Sequence, residues 1–286
     1  MGAHPPCVTV TAMHRRRLLG LGAGAGASVL AGCAIDRTPA ASSPVTPMQA
    51  GAATTPTPTP TVPRLAAPTG LAKAPLPVGK FNTLPDGKLF AFTVDDGTNA
   101  RVVKAYCALA AATGIRLTFF ANGSAAAWTQ HADLVRPLVE SGQIFIGNHT
   151  WSHPYLTKIT DAEIETEMRR NEEFLYATFG VTGRPFCRPP FGAYDARVTK
   201  VLAKLGYPSI VMWSGSIGDS SVVTTEFITD MAKQYFTAGK IVLGHADCDP
   251  VISVMDQFPK LIAERGLTSV HLGDVYDVGD AATRRP

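Results

Sequence analysis

The 286-residue sequence predicts an α/β fold, a distorted (β/α) barrel of about seven parallel strands with its candidate active site at the C-terminal ends of the strands. From Phe81 onward, short apolar runs alternate with stretches of helical periodicity, which is the pattern of a parallel sheet covered by helices. Seven such units fit in roughly 200 residues, slightly fewer than the eight of a complete barrel. A doubly wound open sheet is the alternative architecture.

The individual elements follow from these runs. The clearest helix begins after Thr160, which forms a capping-box pattern with Glu163; Ile164 and Met168 share one face, and Gly180 ends the helix. In chain order the seven predicted strands are KLFAFTV, RLTFFAN, QIFIGN, RPFCRP, PSIVMWS, KIVLGH and LTSVHLG. Residues 81–286 are therefore the predicted folded domain.

The first 33 residues predict an export leader. Three arginines at 15–17 precede an apolar run, residues 18–31, that is too short for a comfortable membrane span. LAGC, ending at Cys33, resembles a bacterial lipobox, which predicts lipid attachment at Cys33 and anchoring to the outer face of the cell membrane. A plain cleavage site with an incidental cysteine is the alternative, and both the Sec and the twin-arginine routes stay open.

Residues 34–80 predict a disordered linker rich in Thr, Pro and Ala, because such a segment cannot bury enough apolar surface to offset its ordering entropy.

The net charge of the chain excludes nucleic acid as a partner. Removing the three leader arginines from the 26 basic residues leaves 23, equal to the 23 acidic residues, so no electrostatic case exists for nucleic acid. The oligomeric state stays open.

Polar residues follow most of the predicted strands, on what would be one rim of the barrel. Each has a structural explanation when taken singly, as a turn, a helix cap or a hydrogen-bonded histidine. Their joint occurrence on one rim predicts a site. In chain order they are Asp95, Asp96, His149, His153, Arg188, Asp219 and His245.

A metal is the first chemistry that these residues suggest. His149 and His153, four residues apart, can face one point if the segment takes a helical turn. A carboxylate from Asp95 or Asp96 would complete a set of two histidines and one carboxylate with open positions, which is a catalytic arrangement.

At this point the sequence resembles the polysaccharide deacetylases, carbohydrate esterase family four. The motifs TVDDG, HTWSHP, RPPFG, W…D and LGH occur in that family's order, from about Lys88 to the end of the chain. The resemblance implies a distorted barrel that removes acetyl groups from N-acetylated sugars, or O-acetyl groups from xylan. It also implies a divalent metal, with zinc as the first choice and cobalt or another ion as alternatives.

The same resemblance implies roles for individual residues. Asp96 would bind the metal with His149 and His153, while Asp95 would be the general base. Arg188 would hold Asp95 through a charge-assisted hydrogen bond.

The remaining roles concern the substrate. The backbone N–H of Phe191 would donate to the oxyanion, and His245 would be the general acid with Asp219 as its charge partner. Trp213 and Leu243 would form the pocket for the acetyl methyl group.

Departures from the family pattern put the sugar groove in doubt. Ser216 and Ser220 stand where the family usually has an aspartate and a tryptophan.

The predicted function is metal-dependent removal of acetyl groups from a cell-envelope or extracellular polysaccharide. The alternatives are an inactive glycan-binding lipoprotein on the same fold and a metal amidohydrolase acting on a non-sugar amide. A disulfide between Cys187 and Cys248, which each lie next to a motif, is a further hypothesis.

Overall fold

A sheet of nine strands organises the part of the chain that the computed structural model describes, residues 62–85 and 87–279. All of the strand pairings are parallel. The strands are β1 Gly79–Phe81, β2 Leu89–Asp96, β3 Leu117–Ala121, β4 Ile144–Asn148, β5 Phe186–Cys187, β6 Ser209–Val211, β7 Gly215–Ser216, β8 Ile241–His245 and β9 Thr268–Ser269.

The strand order is that of a barrel with one open seam. Strands β2 to β6 are neighbours in sequence order, and β8 and then β7 continue from the other side of β2, while β1 lies on β6. Such a cyclic order confirms the distorted (β/α) barrel and excludes the doubly wound sheet, in which strand order reverses at a switch point. The seam lies between β1 and β7, the two ends of the described strand order.

All seven predicted strands are present, and two short strands were not predicted. β1 (GKF) and β7 (GS) contain three and two residues. Neither contains an apolar run, so hydrophobic periodicity could not identify them. Their pairing with β6 and β8 extends the sheet to either side of the seam.

Eight helices connect and cover the strands in the described part of the chain. The longest, Asp161–Phe179, confirms the predicted helix: Thr160 and Glu163 form the capping box, and Gly180 ends the helix at a φ of 75°. In chain order the helices are α1 Ala100–Thr113, α2 Ala126–Gln130, α3 Ala132–Glu140, α4 Asp161–Phe179, α5 Ala196–Lys204, α6 Thr225–Tyr235, α7 Gln257–Glu264 and α8 Leu272–Val275. None of these described helices is long and apolar enough to cross a membrane.

The core lies on both sides of the sheet. Every residue of β2 is buried, as expected of a central parallel strand. Phe90 and Phe92 of this strand pack against Phe236 and Phe258, with ring centroids 4.6–5.4 Å apart. Burial of each large apolar side chain contributes about 2 kcal/mol, so this contact fixes the strand from which two candidate site residues project.

The domain begins earlier than Phe81, where the sequence placed its start. The N–H of Leu65 donates to the carbonyl of Thr113 over 2.6 Å, and Ala74 pairs with Tyr276. Residues 62–80 therefore lie against the domain. The leader, Cys33 and the rest of the linker fall outside the described residues.

The proposed Cys187–Cys248 disulfide is wrong. Cys187 is a free, fully buried thiol on β5 that packs among apolar residues such as Leu202 and Ile210. Burial raises the pKa of this thiol far above its ordinary value, so Cys187 behaves as a small apolar residue.

Candidate active site

The C-terminal ends of β2, β4, β5 and β8 bring most of the predicted residues to one rim. Asp95 and Asp96 are the last two residues of β2. His245 is the last residue of β8 and pairs in register with Asp95. β4 and β5 lead directly into His149 and Arg188. Of these residues, Asp95, Asp96, His149 and His245 line a cavity of about 480 Å³. Its lining comprises Asp95, Asp96, His149, His153, Pro189, Phe191, Gly192, Trp213, Ser216, Ser220, Leu243, His245 and Asp247.

Asp96, His149 and His153 form a group that could hold a metal ion. The Nε2 atoms of both histidines lie 3.3 Å from the same oxygen, Oδ1 of Asp96. One ligand atom from each residue can be chosen within 4.8 Å of the others. Oδ1 of Asp96 is buried without a hydrogen-bond partner, and a buried carboxylate oxygen in that position requires a cation or a donor. These residues therefore fit a divalent metal.

His149 presents the correct nitrogen toward Asp96. Its Nδ1 lies 2.6 Å from the backbone carbonyl of Arg188, which can only accept, so Nδ1 carries the proton and Nε2 keeps its lone pair in the neutral ring. Burial lowers the pKa of His149, but the charges of Asp95 and Asp96 outweigh burial and raise it. The site thus favours positive charge at this point.

Asp96 shows the complementary shift. Burial alone would raise the pKa of its carboxyl, but the positive charges of His149 and His153 outweigh burial and lower it well below its ordinary value. Asp96 is therefore anionic at any physiological pH and available to a cation.

Four non-glycine residues of the described chain have a positive φ, and all lie in or beside this site. They are Asp96 at 72°, Thr150 at 69°, His153 at 61° and Phe191 at 59°. This left-handed conformation costs roughly 1 kcal/mol for each such residue, so the surrounding contacts have to hold it. The turn after β2 brings both aspartates into the site, as the DDG motif suggested.

Asp95 is held by Arg188. The guanidinium Nη1 lies 2.6 Å from Oδ1 of Asp95 and 2.8 Å from the hydroxyl of Thr93, and Nε donates to the carbonyl of Val211. Arg188 is fully buried, so this ion pair is not screened by water. The second oxygen, Oδ2, lies 3.8 Å from Nε2 of His149 and faces the cavity.

His245 and Asp219 form a second pair across the cavity. Nδ1 of His245 lies 2.9 Å from Oδ1 of Asp219, which is buried and also accepts the backbone N–H of His245. Burial lowers the pKa of His245, but the hydrogen bond and charge of Asp219 raise it to about 10. The ring is therefore a charged proton donor at neutral pH.

The substrate-side residues also lie where the sequence placed them. Leu243 and Trp213 line the cavity with Phe191, whose side chain is 54% exposed at its mouth. Ser216 and Ser220 line the same cavity, so the two departures from the family pattern alter its wall rather than a remote surface.

Sequence reasoning missed two participants. Thr93 accepts a hydrogen bond from Arg188 and donates to the carbonyl of Val242. Asp247 lines the cavity and accepts hydrogen bonds from the N–H and hydroxyl of Thr98; burial and then the charge of Asp96 raise its pKa to about 7. Its position two residues after His245 at a strand end was the available signal.

Comparison with known proteins gives a consistent result. Residues 83–210 match the family model for polysaccharide deacetylase. The peptidoglycan-N-acetylglucosamine deacetylase PgdA of Listeria monocytogenes is 28% identical over 191 residues, which cover 66% of this chain and 39% of that protein.

Two solved structures show the same fold. The chitin deacetylase of Colletotrichum lindemuthianum has a TM-score of 0.64 and 22% identity, covering 71% of this chain and 94% of that one. A family 4 carbohydrate esterase pseudoenzyme from Bacillus anthracis has a TM-score of 0.62 and 17% identity, covering 71% and 70%. Likeness at this level establishes the fold, and any activity has to be argued from the residues of the cavity.

Proposed function

We propose that the chain, whose residues 83–210 match the family model for polysaccharide deacetylase, is a metal-dependent hydrolase that removes acetyl groups from an N-acetylated or O-acetylated polysaccharide. The matched region spans about two fifths of the Listeria deacetylase, so activity and substrate are proposed from the domain alone. The observation that carries the proposal is the unpartnered buried oxygen of Asp96 between two histidine nitrogens.

A divalent ion, zinc first, held by Asp96, His149 and His153 would polarise the acetyl carbonyl and acidify a water molecule in the cavity. Two histidines and one carboxylate leave positions open for both. Asp95, fixed by Arg188 on one oxygen, keeps the other toward the cavity and can take the proton of the attacking water.

His245 supplies the complementary proton. Because Asp219 keeps its ring charged, His245 can protonate the sugar nitrogen or oxygen as the bond to the acetyl carbon breaks. The backbone N–H of Phe191 would donate to the oxyanion that forms on the carbonyl. The products are acetate and a sugar with a free amine or hydroxyl.

The acetyl group would lie against Leu243 and Trp213, the apolar part of the cavity wall. In an apolar pocket, one carbon group of this size contributes about 1–3 kcal/mol to substrate discrimination. The named substrate of the Listeria relative supports an amino sugar of the cell envelope as the first candidate.

We also propose that the chain is exported and lipid-anchored through Cys33, because the leader and the LAGC motif have the order of a lipoprotein signal. Labelling of cells with a radioactive fatty acid tests this proposal. Wild-type protein should incorporate label and Cys33→Ala should not; label in the variant would contradict lipid attachment at Cys33.

A substrate panel tests the activity. Zinc-loaded protein incubated with N-acetylglucosamine oligomers, peptidoglycan fragments, acetylated xylan and small amides should release acetate from at least one acetylated glycan. Turnover of small amides alone would favour an amidohydrolase, and glycan binding without acetate release would indicate an inactive binding protein.

His153→Ala tests the metal site directly. The variant should lose one ligand and with it both bound zinc and activity, while its circular dichroism spectrum stays that of the wild type. Retention of one zinc per chain, measured by mass spectrometry of the metal, would contradict the assignment of His153 as a ligand.

A further inference from the structure

A chain of hydrogen bonds connects a buried carboxylate behind the sheet to residues 149–153, the loop after β4 that holds both candidate histidine ligands. This segment is called the metal-binding loop below. Glu172 of α4 is 1% exposed and accepts a hydrogen bond from the hydroxyl of Tyr207. The same hydroxyl oxygen accepts from Nδ2 of Asn148 over 2.7 Å. Asn148 is the last residue of β4 and directly precedes His149.

The direction of each bond follows from the chemistry of its groups. A carboxylate can only accept, so the Tyr207 proton points to Glu172 and the hydroxyl lone pair faces Asn148. Burial, followed by the charge of Glu172, raises the pKa of Tyr207 well above its ordinary value, so the hydroxyl keeps the proton that it donates. Nδ2 of Asn148 also donates to the carbonyl of Met168 over 3.2 Å, so the Tyr207 hydroxyl and this carbonyl together set which way the Asn148 amide is turned.

With Nδ2 directed to Tyr207, the Oδ1 of Asn148 faces the metal-binding loop. It accepts the backbone N–H of Thr150 over 2.9 Å and a hydrogen bond from Asn171 over 2.8 Å. The hydroxyl of Thr150 then accepts the backbone N–H of His153 over 3.1 Å. Thr150 and His153 both have positive φ, so these are the residues that need external support.

The charge of Glu172 is itself compensated. Arg184 lies 3.3 Å from its Oε1, Thr182 donates to the same oxygen, and the N–H of Gly183 donates to Oε2. A buried carboxylate with this many donors is a fixed reference point for the residues that bond to it.

We propose that the Tyr207 hydroxyl is a positioning group for the metal site: it orients the Asn148 amide, which holds Thr150 and, through Thr150, the ligand His153. The inference rests on the proposed metal-dependent function, because metal affinity is the property that the hydroxyl would control.

Tyr207→Phe removes this hydroxyl and keeps the buried ring. We expect the dissociation constant for zinc, measured on metal-free protein by competition with a chelating dye, to rise about 10-fold or more, the usual effect of losing a group that orients a ligand. Two matched controls should keep the wild-type constant. Thr182→Val removes another hydrogen bond to Glu172, and Tyr106→Phe removes a buried hydroxyl that has no hydrogen-bond partner.

The outcomes separate the two proposals. A wild-type protein that binds no zinc refutes the proposed function, whereas equal zinc affinity in wild type and Tyr207→Phe overturns the positioning role alone. An equal loss in Thr182→Val would show a general effect of destabilisation and would also overturn it. If Tyr207→Phe does not fold, amide exchange in metal-free wild type decides: Thr150 and His153 should be protected, and rapid exchange of both would contradict the proposal.

Discussion

Two largely buried histidine–aspartate pairs lie at opposite ends of the barrel, and their histidines have pKa values shifted in opposite directions. At the C-terminal rim, Nδ1 of His245 pairs with Asp219, and the pKa of His245 is raised to about 10. At the other end, burial lowers the pKa of His271 to about 4, although Asp274 lies 3.5 Å away.

The difference lies in what else each pair contacts. Arg116 lies 2.7 Å from Oδ1 of Asp274 and 2.9 Å from Nε2 of His271, so it neutralises the carboxylate and repels a charged ring. Nδ1 of His271 also accepts the backbone N–H of Asp274, which leaves no room for a second ring proton. A histidine beside an aspartate is therefore not by itself an acid; the third group decides its charge.

The largest expected effect is on the rim pair. Asp219→Asn removes the charge that keeps His245 protonated, so kcat on an acetylated glycan should fall at least about 100-fold at pH 8. The alkaline limb of the pH–rate profile should move to lower pH, because the pKa of His245 falls. Asp274→Asn, the same change at the opposite end, should leave kcat within about two-fold, measured by acetate release. An unchanged alkaline limb in Asp219→Asn would remove His245 from its role as the acid.

Removal of Arg116 should make the second pair resemble the first. Arg116→Met leaves Asp274 unpaired beside His271, and the free energy of unfolding should fall by about 3 kcal/mol. In the folded variant the pKa of His271 should rise above its wild-type value of about 4. Urea denaturation and an NMR titration of the ring measure the two effects, and a His271 pKa that stays near 4 would show that burial alone sets it.

Titration of the two histidines should lower the free energy of unfolding of the metal-free protein at opposite ends of the pH range. The folded pKa of His245 lies above its ordinary 6.5, so its contribution is complete below pH 6.5 and is lost as pH rises through 10. The folded pKa of His271 lies below 6.5, so its contribution is present above pH 6.5 and is lost as pH falls through 4.

The contribution should amount to about 5 kcal/mol for His245 and about 3 kcal/mol for His271. Urea denaturation of His245→Gln and His271→Gln across this pH range should show loss of the alkaline and of the acidic dependence, respectively. If His271→Gln keeps the wild-type acidic dependence, another group causes it.

An exposed pair gives the smallest effect and a baseline for the others. Lys260 of α7 lies 2.6 Å from Asp256, the residue before that helix, and their side chains are 32% and 53% exposed. Asp256→Asn should change the free energy of unfolding by less than about 0.5 kcal/mol. A change above 1 kcal/mol in urea denaturation would show that exposure is a poor guide to these pairs.

The sequence was sufficient where side chains follow a buried strand directly. Asp95, Asp96, His149 and Arg188 lie at the rim because parallel strands end together, a consequence of topology alone. Apolar runs allowed seven strands to be predicted from the sequence, whereas β1 and β7 are too short to show any periodicity.

The residues that hold the site in place through hydrogen bonds could not be predicted from the sequence in the same way. Tyr207 and Glu172 belong to an apolar segment and a helix, 35 residues apart, and no local pattern connects them. Asp247 had the local signal of a strand end but no partner in the motif that would have given it a role. Contacts between remote elements arise from packing, which a single sequence does not specify residue by residue.

The four positive-φ residues of the site have a consequence for how this protein can change over evolution. Together they cost the folded state roughly 4 kcal/mol, a large share of the 5–15 kcal/mol by which a typical domain is stable. Glycine would remove the strain at any of them, but the proposed metal site requires the side chains of Asp96 and His153. Other contacts have to offset this cost, so substitutions in the aromatic cluster of Phe90, Phe92, Phe236 and Phe258, which packs behind the rim, are constrained by the strain of the site.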